Sequence, residues 1–144
     1  MAYKIGEAAK RVGCKVETVR YYEQAGLLPE PARSEGNFRL YSESHLEQLR
    51  FIRHCRSLDI PLEDIRNLLR LKETPSQSCT DIDSVIDEQI QRVELQLESL
   101  KQLRHNLMAL RNQCGGGQVI NACDIMRELE DCSCHGYPAS NKKC

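Results

Sequence analysis

At 144 residues, with two Phe, five Tyr and no Trp, the chain cannot build a large globular core. It has room for one ordinary domain, or for a small domain with a long helix. A formal net charge of −1 excludes a basic surface overall, so any nucleic-acid role must rest on local residues; residues 1–75 carry 13 Lys and Arg against 11 Asp and Glu, and the remainder carries 7 against 10.

Gly6 to Val12 predicts a short helix ending at Gly13, and Val16 to Ala25 a second, with Gly26 supplying the C-terminal turn. Two short helices joined by a turn of about three residues point to helix-turn-helix. Leu28 to Tyr41 opens on prolines, can turn at Gly36-Asn37 and alternates over Phe38-Arg39-Leu40-Tyr41, which predicts a loop and a small β-hairpin, or wing. Ser44-His45-Leu46-Glu47 has capping-box spacing and should start a third helix running to about Leu58. Pro61 falls in the first turn of a fourth, whose apolar stripe is Leu62, Ile65, Leu68 and Leu69. Lys72 to Ser78 is a linker.

Thr80 then caps a long helix, with Asp81 and Asp83 suited to its N-terminus. Ile82, Val85, Ile86, Ile90, Val93, Leu97, Leu100, Leu103, Leu107 and Leu110 recur every three or four residues along it. A stripe of that length needs a partner. Either the helix folds back on its own domain or it pairs with a second copy, and the small remaining core favours pairing. Gly115-Gly116-Gly117 ends the helix, Asp124 to Glu130 adds one or two turns, and the Ser/Asn/Lys tail is expected to be mobile. The expected domains are 1–75, a winged helix-turn-helix; 76–113, a dimerisation helix; and 114–144, a metal-binding loop with a short helix and tail. The fold class is mainly α.

Eight cysteines is a high count for a chain with no signal-like start and no apolar run of membrane-spanning length. That pattern suits a cytoplasmic protein with no membrane partner, whose clustered thiols bind metal or sense redox state rather than form structural bridges. Cys79, Cys114 and Cys123 frame the long helix. From Thr80 to Gln113 that helix would measure about 50 Å at ~1.5 Å per residue, so Cys79 and Cys114 of one chain cannot share an ion while it is intact. Antiparallel pairing of two copies would bring Cys79 of one beside Cys114 and Cys123 of the other. Three thiolates suit Pb(II), Cd(II) or Hg(II), or Zn(II) with a fourth ligand, whereas copper(I) is satisfied by two. The alternative, that the three are ordinary small apolar residues, sits poorly with their places at helix ends and loops. Cys132, Cys134 and His135 form a compact accessory candidate that an incidental tail explains equally well. Cys55 and Cys14 read as packing residues, Cys144 as idle, and His45, His54 and His105 as surface or satisfied residues.

Lys15, Thr18, Arg20, Tyr21 and Tyr22 lie on or beside the second helix, and Arg33, Asn37 and Arg39 on the wing. Arg and Lys can pair with guanine edges or phosphates, and Thr and Tyr hydroxyls can fix phosphates. The alternative is that Tyr22 packs in the core and the charges form a solvated face. No catalytic set emerges, so an enzyme is not expected.

Ile5-Gly6-Glu7-Ala8-Ala9, Glu17-Thr18-Val19-Arg20-Tyr21-Tyr22-Glu23, Gly26-Leu27-Leu28, Asn37 to Tyr41, Leu49 to Arg53 and Leu62 to Leu69 closely resemble the MerR family of metal-responsive transcription regulators. Arg53-His54-Cys55-Arg56-Ser57-Leu58-Asp59 and Ser78-Cys79 are most similar to its lead- and cadmium-responsive members, the PbrR and CadR type. The resemblance implies a homodimer of winged helix-turn-helix readers joined by antiparallel long helices. It implies metal ligands at Cys79 of one subunit and Cys114 and Cys123 of the other, and DNA contacts from Arg20, Tyr21, Tyr22 and the wing, including Arg39. It also implies double-stranded promoter DNA distorted on metal binding so that RNA polymerase can engage it. Gly115 to Ala122 holds no Cys or His for a second zinc, and the tail lacks the histidine-rich run of some cadmium-responsive members. The expectation is therefore a Pb(II)- or Cd(II)-dependent activator of heavy-metal resistance genes. The alternatives are a mercury- or zinc-responsive regulator of the same family, or a redox-responsive one, and, from another class, a cytoplasmic metal-buffering protein.

Overall fold

A computed structural model describes residues 1–76, 78–117 and 119–130. In chain order these form β1 (Ala2–Lys4), α1 (Ile5–Val12), α2 (Val16–Gln24), β2 (Ala32–Arg33), β3 (Arg39–Ser42), α3 (Glu43–Ser57), α4 (Leu62–Lys72), α5 (Thr80–Asn112), a 3-10 turn (Ile120–Ala122) and α6 (Asp124–Glu130). They fall into two compact units, one through Gln89 and one from Ile90 onward.

The first unit is a helix-turn-helix with a wing. Ala8, Ala9 and Val12 of α1, Val19 and Tyr22 of α2, Leu46, Leu49, Ile52 and Cys55 of α3, and Ile65 and Leu68 of α4 meet in one core with Leu27, Leu28 and Ile60. Their three- and four-residue spacing is what lets each helix turn one apolar face inward. The α1–α2 turn depends on Gly13, whose φ of 76° is left-handed. A Cβ there would also lie 2.8 Å from Arg53 Nη1, because Arg53 of α3 reaches over the turn to donate to the Val12 carbonyl.

The sheet has the order β1-β3-β2, antiparallel throughout, with Tyr3 opposite Tyr41 and Arg33 opposite Arg39. The wing matches the sequence expectation, and β1 is an addition. Three residues are too few to show alternation, yet Tyr3 is buried between exposed Ala2 and Lys4, as a half-covered strand requires. The wing turn is closed by the Ser34 N–H donating to the Phe38 carbonyl and by Asn37, whose φ is 61°.

Three helix starts differ from expectation. Ser42, not Ser44, caps α3: its Oγ accepts from the His45 N–H, and His45 Nδ1 accepts from the Ser42 N–H at 3.1 Å. A histidine thus takes the return role that a Glu or Gln fills in the usual capping box. Pro61 is the residue before α4 rather than in its first turn, and the Ile65 N–H bonds to its carbonyl. Thr80 is the first residue of α5 rather than its cap; the Asp83 N–H reaches back to the Cys79 carbonyl, and Ser78 Oγ accepts from the Thr80 N–H.

In the second unit α5 continues to Asn112. Ile90, Val93, Leu97, Leu100, Leu103 and Leu107 are all exposed, and Leu97 and Leu100 show more than half of their surface. Beyond it Gly116 and Gly117 adopt left-handed φ values of 83° and 75°. Among the described residues no helix is long and apolar enough to cross a membrane.

Candidate DNA-reading face and metal centre

The candidate DNA residues fall on α2 and the wing. Lys15 precedes α2 and is exposed, as are Arg20 and Tyr21, while Thr18 is half-buried. Tyr22 is 8% exposed and belongs to the core, so its ring seats α2 rather than lying on the reading face. Burial pushes its hydroxyl above the usual tyrosine range. Tyr21 lies against it, ring centroids 5.6 Å apart. In the wing, Arg33 Nη1 donates to the Asn37 carbonyl at 3.2 Å, stiffening the turn.

Arg39 is tied to α2 by a residue that the sequence did not single out for a role. Arg39 Nε donates to Glu23 Oε1 at 3.0 Å, and the Tyr41 hydroxyl donates to Glu23 Oε2 at 2.8 Å. One carboxylate on the reading helix therefore holds both an arginine and a tyrosine of the central strand. Burial, then the bond to Glu23, holds the Tyr41 hydroxyl well above its ordinary value. Nothing local in the sequence links Glu23 to β3. The bond to Glu23 holds the Arg39 side chain against α2.

The three framing cysteines are free thiols. Cys79 is exposed at the start of α5 in the first unit. In the second unit Cys114 follows α5 and Cys123 immediately precedes α6, both half-buried, and the structure brings these two thiols beside one another. The Met126 backbone N–H, followed by that of Ile125 and the Cys114 thiol, holds the Cys123 thiol below its usual range. This arrangement favours a thiolate, the form that binds metal. Arg111 Nη1 donates to the Cys114 carbonyl at 3.3 Å, fixing the segment that leaves α5.

Among the described residues no three His, Cys, Asp or Glu side chains converge within the chain. Cys132, Cys134, His135 and Cys144, and the expected mobile tail, lie outside the described residues. Cys55 is buried in the core and Cys14 packs against it, as the sequence suggested. His45 is satisfied by Ser42 and by the Pro29 carbonyl, 3.2 Å from its Nε2.

Comparison with known proteins settles the family. Residues 3–72 match the model for the MerR HTH family regulatory protein, and residues 46–110 match that for MerR, DNA binding. The chain belongs to the MerR family. It is a MerR-type transcriptional regulator and not an enzyme. It is 48% identical over 110 residues to the HTH-type transcriptional regulator ZntR homolog of Haemophilus influenzae, covering 76% of this chain and 82% of that one. It is 34% identical to a mercuric resistance operon regulatory protein of Bacillus cereus, covering 90% and 98%. Its fold superposes on PbrR691 of Ralstonia metallidurans CH34, solved in complex with lead(II), with a TM-score of 0.80 and 46% identity over 88% of this chain and 98% of that one.

Proposed function

We propose that this metal-responsive MerR-family transcriptional regulator is a cytoplasmic homodimer that binds double-stranded promoter DNA and takes Pb(II) or Cd(II) as its effector. The observation that carries the reading is the distribution of thiols. Cys114 and Cys123 lie beside one another, Cys79 stands exposed at the start of α5, and no three-ligand set forms among the described residues of one chain. The exposed stripe from Ile90 to Leu107 supports pairing of two long helices, and antiparallel pairing supplies Cys79 of one subunit to Cys114 and Cys123 of the other. The donor set fits a soft divalent ion. Three thiolates would hold it, with the Met126 and Ile125 amides keeping Cys123 in its binding form. The ion supplies a cross-link between two chains.

The likeness to PbrR691 in complex with lead(II) supports the Pb(II) assignment. The mercuric resistance relative favours Hg(II) as the second reading, and Zn(II) requires a fourth ligand. At the promoter, Lys15, Arg20 and Tyr21 would face the DNA from α2, and Arg33, Asn37 and Arg39 from the wing, with Thr18 at the edge and Tyr22 holding α2 in place. The bound dimer distorts the promoter so that RNA polymerase can engage it, and transcription of resistance genes follows.

The test is a reporter driven by the regulated promoter, induced separately with Pb(II), Cd(II), Hg(II), Zn(II) and peroxide. Pb(II) or Cd(II) should rank first, and a first rank for another inducer overturns the metal assignment. Serine at Cys79, Cys114 or Cys123 should abolish induction and leave operator affinity unchanged. Arg20→Ala should do the reverse, weakening the operator complex by about 10- to 100-fold with metal binding intact. An unaltered response in all three serine variants overturns the site.

A further inference from the structure

Gln89 is the one polar residue buried among the described residues, and the only residue of α5 buried within the chain. Its Nε2 donates to two consecutive carbonyls, Leu58 at 3.1 Å and Asp59 at 3.0 Å. These belong to the corner between α3 and α4, where Asp59 takes a left-handed φ of 57° and Leu58 ends α3. One turn earlier on the same face of α5, Val85 packs against the core. The next carbonyl of the corner, that of Ile60, accepts from Arg56 Nη1 at 3.0 Å.

The same device recurs elsewhere in this unit. Arg66 of α4 donates through Nη2 to the Ala25 carbonyl at the end of α2, and Gln48 of α3 donates to the Leu27 carbonyl, each at 2.6 Å. Side-chain donors thus connect the first turns of α5 to the α3–α4 corner, and α3 and α4 to the end of the reading helix. Every step lies within the unit that runs from Met1 to Gln89. Cys79 sits at the start of α5, ten residues before Gln89.

We propose that Gln89 is a positioning residue that couples the effector site to the DNA reader: displacement of the start of α5 when Cys79 is engaged is passed through its amide to the α3–α4 corner and from there to α2. This rests on the assignment of Cys79 as a metal ligand. A helix-end carbonyl needs only some donor, and a passive cap would serve stability alone. A coupling residue must change the response and not merely the fold.

The experiment compares Gln89→Met, which keeps the volume and removes both bonds, with Gln89→Lys, whose ammonium can donate to both carbonyls again. Pb(II) affinity, operator affinity and the ratio of metal-induced to uninduced transcription are measured on the full-length dimer. Gln89→Met should keep both affinities within about twofold while its induction ratio falls by about fivefold or more, and Gln89→Lys should recover the wild-type ratio. An unchanged ratio in Gln89→Met overturns the proposal. Loss of operator binding in Gln89→Met also overturns it, because the residue is then a structural cap. A wild-type protein deaf to every metal overturns the functional reading instead, and with it this inference.

Discussion

The two units of this chain meet the same physical requirement in opposite ways. Through Gln89, the apolar side chains of one core find partners within the chain, and carbonyls at or just past helix ends are bonded by Arg53, Gln48, Arg66 and Gln89. From Ile90 onward, six aliphatic residues of the α5 stripe stay exposed, and two thiols lie beside one another without a third metal-ligating side chain converging on them among the described residues. A reader that must present one fixed surface to DNA benefits from internal closure. In the proposed dimer, a sensor that completes its ligand set with a second chain would leave these contacts open until that chain arrives.

The contrast can be broken at its open end first. Placing two carboxylates in the stripe, Leu97→Asp with Leu100→Asp, should convert the dimer to monomer in light-scattering mass measurements. The dimer constant should weaken by about 100-fold or more, because unpaired charges would have to be buried. The far-ultraviolet signal of the reader should persist. A dimer of unchanged mass would mean that the stripe is covered by something other than a second α5.

At the closed end a smaller effect is expected. Tyr41→Phe removes one bond to Glu23 and leaves Arg39 to hold the carboxylate. It should cost about 1 kcal/mol, seen as a fall of about 4–8 °C in the Tm of the reader. Mass and metal affinity should not change. A loss of dimer in this variant would show that the two ends are not separable in the way described.

Much of this was legible in the sequence because it rests on periodicity. The α5 stripe, the paired short helices, the alternation at the wing and the glycine stops all declare themselves over several residues. What escaped is short or non-local. Strand β1 has three residues and owes its form to pairing with β3. Ser42 and His45 form a capping box with an acceptor that no simple pattern expects, so Ser44 looked the better cap. Tyr22 had two readings because a helix of nine residues gives few turns by which to tell its faces, and packing places it inside. Glu23 and Gln89 carry their roles through partners 16 to 18 and 30 to 31 residues away, respectively, which no local spacing encodes. For the candidate metal centre, sequence marked three cysteines. The nearness of Cys114 to Cys123 came only from the fold of the loop and the start of α6.

The central claim is that one ion is held by two chains, and mixing two defective proteins tests it most directly. Cys79→Ser and Cys114→Ser dimers are each inactive on their own, since every site lacks a thiolate. After subunit exchange, half of the dimers at random mixing are heterodimers, and each of these contains one complete site. Titration with Pb(II), following the thiolate-to-metal absorption band, should show binding appear in the mixture at about one site for every two dimers. A mixture that binds no more than its components would contradict a site shared between subunits.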